Sequence, residues 1–202
     1  PNPFENPDLF RQELILKDGY IHIKSESGGK DTPVKAEIKL WVEVTNPVIH
    51  IDIDSDNPVE VAAAYESWRT EDRELSSANN GRERFGCFHL QGFPGEVIKR
   101  ADVISHNDRG VLFYHRNPQN SLSPDVLIKQ QGLEAYRDSI NDDIRNRTFG
   151  GLLSGENFIP AGIDSGSYII TPYKSWIIKS QKPSENHSLV SSTKIGQTAT
   201  ID

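Results

Sequence analysis

Val34-Lys35-Ala36-Glu37-Ile38-Lys39-Leu40-Trp41-Val42-Glu43-Val44 alternates with a period of two. Val34, Ala36, Ile38, Leu40, Val42 and Val44 share one face, and Lys35, Glu37, Lys39, Trp41 and Glu43 share the other. Alternation of this length belongs to an antiparallel strand with one face on a core and one in water. Toward the N-terminus, residues 1–11 read as a Pro/Asn-rich connector, and the β pattern starts at Gln12. Leu14 and Leu16 alternate there, Lys17-Asp18-Gly19 is a turn, and Tyr20-Ile21-His22-Ile23-Lys24 completes a hairpin. Ser25 to Pro33 reads as a polar loop. Toward the C-terminus, Asn46-Pro47 is a turn and Ile49, Ile51 and Ile53 face the core. Asp56-Asn57-Pro58 reads as another turn, and Val59 to Trp68 as an interior strand.

Beyond Trp68 the pattern is interrupted. Residues 70–86 read as a long exposed excursion, and Gly92-Phe93-Pro94-Gly95-Glu96 as a turn. Strands are expected over Val97–Ile104 and Val111–His115, joined by Ser105–Gly110. Ser123-Pro124-Asp125 opens the one short helix, near residues 124–142, with Gly132 weakening its middle. Short strands follow near 148–154, 167–171, 173–180 and 187–200, with bends at Gly150-Gly151 and Gly162. No repeat or interdomain linker interrupts the chain, so residues 1–202 read as a single all-β domain of two packed antiparallel sheets.

The 22 Lys and Arg residues face 29 Asp and Glu, for a net charge of -7, and no basic tract stands out. This argues against nucleic acid as a partner. No apolar run is long enough to span a membrane as a helix. Cys87 is the only cysteine, which excludes an intrachain disulfide and a Cys-rich zinc site. Asp102, His106 and Asp108 lie close in sequence, but their spacing matches no metal motif. No nucleophile elbow, phosphate-binding glycine loop or zinc-protease motif is present, so no catalytic residue, metal or cofactor is assigned. Asn146-Arg147-Thr148 and Asn186-His187-Ser188 are glycosylation sequons, compatible with secretion.

Two polar clusters end apolar runs. Tyr114-His115-Arg116-Asn117 combines a stacking ring, several hydrogen-bond donors and a group that titrates near neutrality. In a regular strand Tyr114 and Arg116 point one way and His115 and Asn117 the other. Glu66-Ser67-Trp68-Arg69 forms the second cluster, with Glu66 and Trp68 on one strand face. A Trp ring can stack on a sugar, and a neighbouring carboxylate can bind hydroxyls. The competing reading makes both clusters structural networks at strand ends.

The ordered set Asn2-Pro3-Phe4, Leu40-Trp41-Val42, Asn46-Pro47-Val48-Ile49-His50, Glu66-Ser67-Trp68-Arg69, Tyr114-His115-Arg116-Asn117 and Asn146-Arg147-Thr148-Phe149-Gly150 resembles an N-terminal β domain of unknown function. That domain occurs in bacterial and fungal glycoside-hydrolase-like proteins, related in architecture to glycoside hydrolase families 65 and 95. The resemblance implies a β-supersandwich preceding a C-terminal (α/α)6 barrel that carries the catalytic carboxylates. It implies that this chain is the N-terminal part of a larger, secreted, multidomain glycoprotein acting on O-glycosidic bonds. Glu66, Trp68, Arg69, Tyr114, His115, Arg116 and Asn117 become candidates for carbohydrate contact or for docking on the barrel. A stand-alone carbohydrate-binding module and a purely structural interdomain scaffold stay open beside that reading.

Overall fold

The computed structural model describes residues 2–28, 34–75, 97–119 and 123–196. In chain order its elements are β1 (Leu9–Ile15), β2 (Tyr20–Ser27), β3 (Val34–Val42), β4 (Val48–Val59), β5 (Ala62–Ser67), β6 (Arg73–Glu74), β7 (Ile98–Lys99), β8 (Val103–Asn107) and β9 (Gly110–Arg116). An α-helix, α1 (Ser123–Gln130), and a 3-10 helix (Glu134–Ser139) follow, then β10 (Thr148–Gly155), β11 (Phe158–Tyr168), β12 (Thr171–Ser180) and β13 (Ser184–Gly196). The eight-stranded sheet runs β1-β2-β3-β4-β13-β10-β9-β8 and the three-stranded sheet β11-β12-β5, with β6-β7 as a separate ribbon. The architecture is the all-β, antiparallel, two-sheet one that the alternating runs dictate. No helix among the described residues is long and apolar enough to cross a membrane.

The core lies between the sheets. Trp176, Ile178 and Phe158 from the smaller sheet meet Val111, Leu153 and Leu189 from the larger one. Ile51, Ile53, Ala63, Tyr65 and Ile104 pack around them. Cross-strand partners share a face, so the register Leu14↔Ile21↔Leu40↔Ile51 carries the core face out to the sheet edge. The smaller sheet is only three strands wide and sits over the β13–β8 half. Phe10, Leu14 and Val42 are therefore exposed although they lie on the core face, Leu14 to 62%. This corrects the expected buried face of the Val34–Val44 run, whose Val42 and Val44 are exposed.

Other boundaries differ for local reasons. β1 begins at Leu9, inside the expected connector. Asp56-Asn57-Pro58 lies within β4, where four residues of β4 bulge against a single residue of β13. A bulge tolerates the missing proline N–H, so the strand continues through it. The expected helix is two short ones, because Gly132 adopts φ 66° between them. Of residues 167–171, Ser167 and Tyr168 end β11 and Thr171 opens β12, while Ile169-Ile170 form the turn at the tip of the hairpin. β11 itself escapes the periodicity test because Pro160, Gly162 and Gly166 interrupt it. Gly162 sits at a register shift in β11 with φ 102°. Gly150 and Gly151 are inside β10, where a Cβ would stand 2.2 Å and 2.1 Å from the Phe113 and Ser192 carbonyl oxygens. Residues 76–86 of the excursion, Cys87 and the turn at 92–96 lie outside the described residues.

Candidate functional site

At one end of the sandwich the chain leaves β5 as Ser67-Trp68-Arg69 and enters β8 through Ala101-Asp102. Two backbone contacts fix the meeting point. The Asp102 N–H donates to the Arg69 carbonyl at 2.9 Å, and the Ala101 N–H donates to Asp72 Oδ1 at 2.9 Å. Asp72 also pairs with Arg100. The Ala101 N–H, and then Arg100, hold the Asp72 carboxyl below the ordinary carboxylate range.

The Asp102 side chain is only 6% exposed and collects three hydrogen bonds and a further ion-pair contact. Its Oδ1 accepts from His115 Nδ1 at 3.0 Å and lies 2.8 Å from Arg69 Nη2 in an ion pair. Its Oδ2 accepts from Arg69 Nε at 3.2 Å and Ser67 Oγ at 3.0 Å. Ser67 Oγ in turn accepts from the Arg69 N–H at 3.0 Å. A buried carboxylate is stable only when paired and hydrogen-bonded, and this one is both. The bond to Asp102 fixes Nδ1 of His115 as the protonated nitrogen. Among the described residues no hydrogen bond to Nε2 is seen, and the side chain is 11% exposed.

Strand parity explains why these residues meet. Val111, Phe113 and His115 of β9 face the smaller sheet, and Tyr65, Ser67 and Arg69, along and beyond β5 of that smaller sheet, face back toward the larger one. Phe113 stacks on Tyr65 with centroids 3.8 Å apart. His115 leans on Phe149, centroids 5.3 Å apart. Burial pushes the Tyr65 phenol above its ordinary value of 10.0, the Asp102 carboxylate adds to the shift, and Arg69 opposes it. A group whose folded pKa is raised contributes stability below its unfolded value and loses it as pH rises through the folded one. Tyr65 is therefore expected to ionise above the ordinary phenol value in a 13Cζ titration. Wild type should lose stability relative to Tyr65→Phe only above about pH 10.

The remaining candidates divide by face. Glu66 and Trp68 share the outer face of the smaller sheet, away from Arg69. Glu66 Oε1 accepts from Ser175 Oγ at 2.9 Å, and Trp68 is 64% exposed. Tyr114 and Arg116 point away from His115. Arg116 donates from Nε and Nη2 to Asn146 Oδ1 at 3.0 and 2.6 Å. Asn117 Nδ2 donates to the Ile144 carbonyl at 2.8 Å. Arg116 and Asn117 thus shape the turn that enters β10, where Asn146 has φ 53°. In the first sequon Asn146 is half-buried and Thr148 buried, while Asn186 of the second is exposed. His106 is spent on the Ile177 carbonyl at 2.9 Å, away from Asp102. Among the described residues no group of three or more His, Cys, Asp or Glu side chains could hold a metal. Sequence reasoning missed Ser67 and Tyr65, and considered Asp102 only as a possible metal ligand.

The same end is apolar at its rim. β5 pairs with β12 only as far as Ser67↔Lys174, while β11 and β12 stay paired to Tyr168↔Thr171. The hairpin thus overhangs the point where Trp68 and Arg69 emerge. Its Tyr168, Ile169 and Ile170 are exposed, as are Trp68, Ile144 and Phe149 at the same end. This end of the sandwich therefore carries both the Asp102 network and several exposed apolar side chains.

No curated protein matches the chain. A family model described as a domain of unknown function, DUF5703, matches residues 1–202, the whole chain, and the protein belongs to that family.

Proposed function

We propose that the chain is a non-catalytic β domain of a secreted glycoside hydrolase. Its apolar-rimmed end packs against an (α/α)6 catalytic barrel of the same polypeptide and helps shape the active site for O-glycosidic bonds. The observation that supports docking is that rim. Exposed Trp68, Ile144, Tyr168, Ile169 and Ile170 lie at the same end of the sandwich as the Asp102 network. Large apolar patches with polar neighbours mark interaction surfaces. The hydrolase part rests on the resemblance carried by the six ordered segments. In this arrangement Arg69 and His115 Nε2 line the wall that the β domain gives to the carbohydrate, and Asp102 holds both in position.

The test is the intact mass of the natural polypeptide measured together with hydrolysis of a glycan panel. The expected result is a species well above 22.6 kDa with glycosidase activity, while the 202-residue chain alone turns over nothing. Turnover by the purified chain, or a natural polypeptide of 22.6 kDa without activity, overturns the proposal.

One observation favours a second reading, a carbohydrate-binding module. Trp68 presents its ring to solvent beside Glu66 on the outer face, an arrangement suited to stacking on a sugar. That reading requires saturable quenching of tryptophan fluorescence by a glycan, abolished by Trp68→Ala at unchanged melting temperature.

A further inference from the structure

β1 closes one edge of the eight-stranded sheet and pairs only with β2. Among the described residues no strand meets the row of backbone N–H and C=O groups along its outer side. Natural sheets blunt such edges with proline, lysine or a bulge. Leu9-Phe10-Arg11-Gln12-Glu13-Leu14-Ile15 has neither proline nor lysine, and its register with β2 is unbroken. Leu9, Phe10 and Leu14 are exposed along it. An unguarded apolar edge is a template for another strand.

The edge is complementary to itself when run antiparallel. A two-fold axis through Gln12, normal to the sheet, sets Leu9 opposite Ile15, Phe10 opposite Leu14 and Arg11 opposite Glu13. Gln12 then meets Gln12 of the second copy, and each amide can donate and accept. Every apolar side chain meets an apolar one, and every charge meets its opposite. The axis also keeps faces intact. Phe10, Gln12 and Leu14 stay on the core-side face, and Leu9, Arg11, Glu13 and Ile15 on the other. Neighbouring registers fail. An axis through Arg11 or through Glu13 puts like charges directly opposite, and a register shifted by one residue pairs opposite faces. Within one chain Arg11 Nη2 already meets Glu13 Oε1 at 2.6 Å, so dimerisation exchanges two exposed intrachain pairs, one in each copy, for two intermolecular ones.

We propose that β1 pairs with β1 of a second copy across this axis, joining two eight-stranded sheets into one continuous antiparallel sheet. The inference is independent of the hydrolase reading, since it uses neither the Asp102 end nor the apolar rim.

Sedimentation velocity of the 202-residue chain, from low micromolar to near-millimolar concentration, tests it with charge reversals. The mass should rise from 22.6 kDa toward twice that value. Arg11→Glu and Glu13→Arg should each raise the dissociation constant about tenfold or more, because each sets two like-charged pairs opposite. Mixing the two variants should restore association as a heterodimer, and the double exchange should restore the homodimer. Gln12→Cys in a Cys87→Ser background should form a disulfide-linked dimer on mild oxidation, and Glu13→Cys should not. A monomer at every concentration overturns the proposal. So does a dimer indifferent to the single reversals, or a double exchange that fails to recover one. Circular dichroism melting of each variant separates lost pairing from lost folding, and the rescue by mixing decides the matter where a single variant is weakened.

Discussion

Asp102→Ala is expected to destabilise the fold by about 3 kcal/mol, seen as a lower denaturation midpoint at unchanged m. Removing one partner of a buried ion pair leaves the other charge with its desolvation unrepaid, which typically costs about 3–5 kcal/mol. The low end applies because the Arg69 side chain keeps 32% of its surface in water and can recover part of its hydration. Ser67 Oγ and His115 Nδ1 lose their acceptor in the same step, and each sits in a protected position. Asp102→Asn keeps a carbonyl oxygen as acceptor but turns an amide toward Arg69, so it should fall between wild type and Asp102→Ala.

The combined variant Arg69→Ala/Asp102→Ala tells two origins of the loss apart. If the damage comes from the stranded guanidinium, the double variant should be less unstable than the sum of the singles by about 1–3 kcal/mol. Strict additivity would mean that Asp102 acts by spacing the loops instead of by pairing. Any effect on ligand or partner binding should track Arg69 and His115, because Asp102 is buried behind both.

The strands were legible because one-sided burial imposes a period of two, and β2, β3 and the first half of β4 obey it. Legibility failed where burial did not follow pattern. Val42 and Val44 continue the alternation of β3, but the smaller sheet does not reach them, and its width is written nowhere in their own sequence. Ile169 and Ile170 carry strong β propensity, yet they form a turn. The candidate site was half legible. Strand parity alone separates His115 from Tyr114 and Arg116, and joins Glu66 to Trp68. It did not bring Arg69 to His115, because that meeting depends on how two sheets face each other. The hub, Asp102, sits in a short segment without periodicity between β7 and β8. Only the packing of β5 against β9 makes it the common acceptor.

Two isoleucines of the β11–β12 hairpin carry the second large prediction, and they should respond in opposite directions. Ile178 is fully buried between the sheets, with Val111 and Leu189 among the core side chains around it. Ile178→Ala removes buried methyl and methylene groups and leaves a cavity that close-packed neighbours fill only partly. The expected loss is about 2–5 kcal/mol. The upper part of that range fits, because Trp176 and Phe158 are rigid rings poorly able to collapse into the space. Ile169, in the same hairpin, is 82% exposed and adopts φ 58°. A β-branched residue in that region is strained, so Ile169→Asn should stabilise the isolated chain by about 1 kcal/mol. Parallel urea titrations of the two variants check both signs. A destabilised Ile169→Asn variant would mean that the tip makes contacts worth more than its strain. The expected pair of signs would mean instead that the chain carries an exposed, strained apolar tip at a cost to its own stability. Such a cost is what the proposed docking of this end on a second domain would explain.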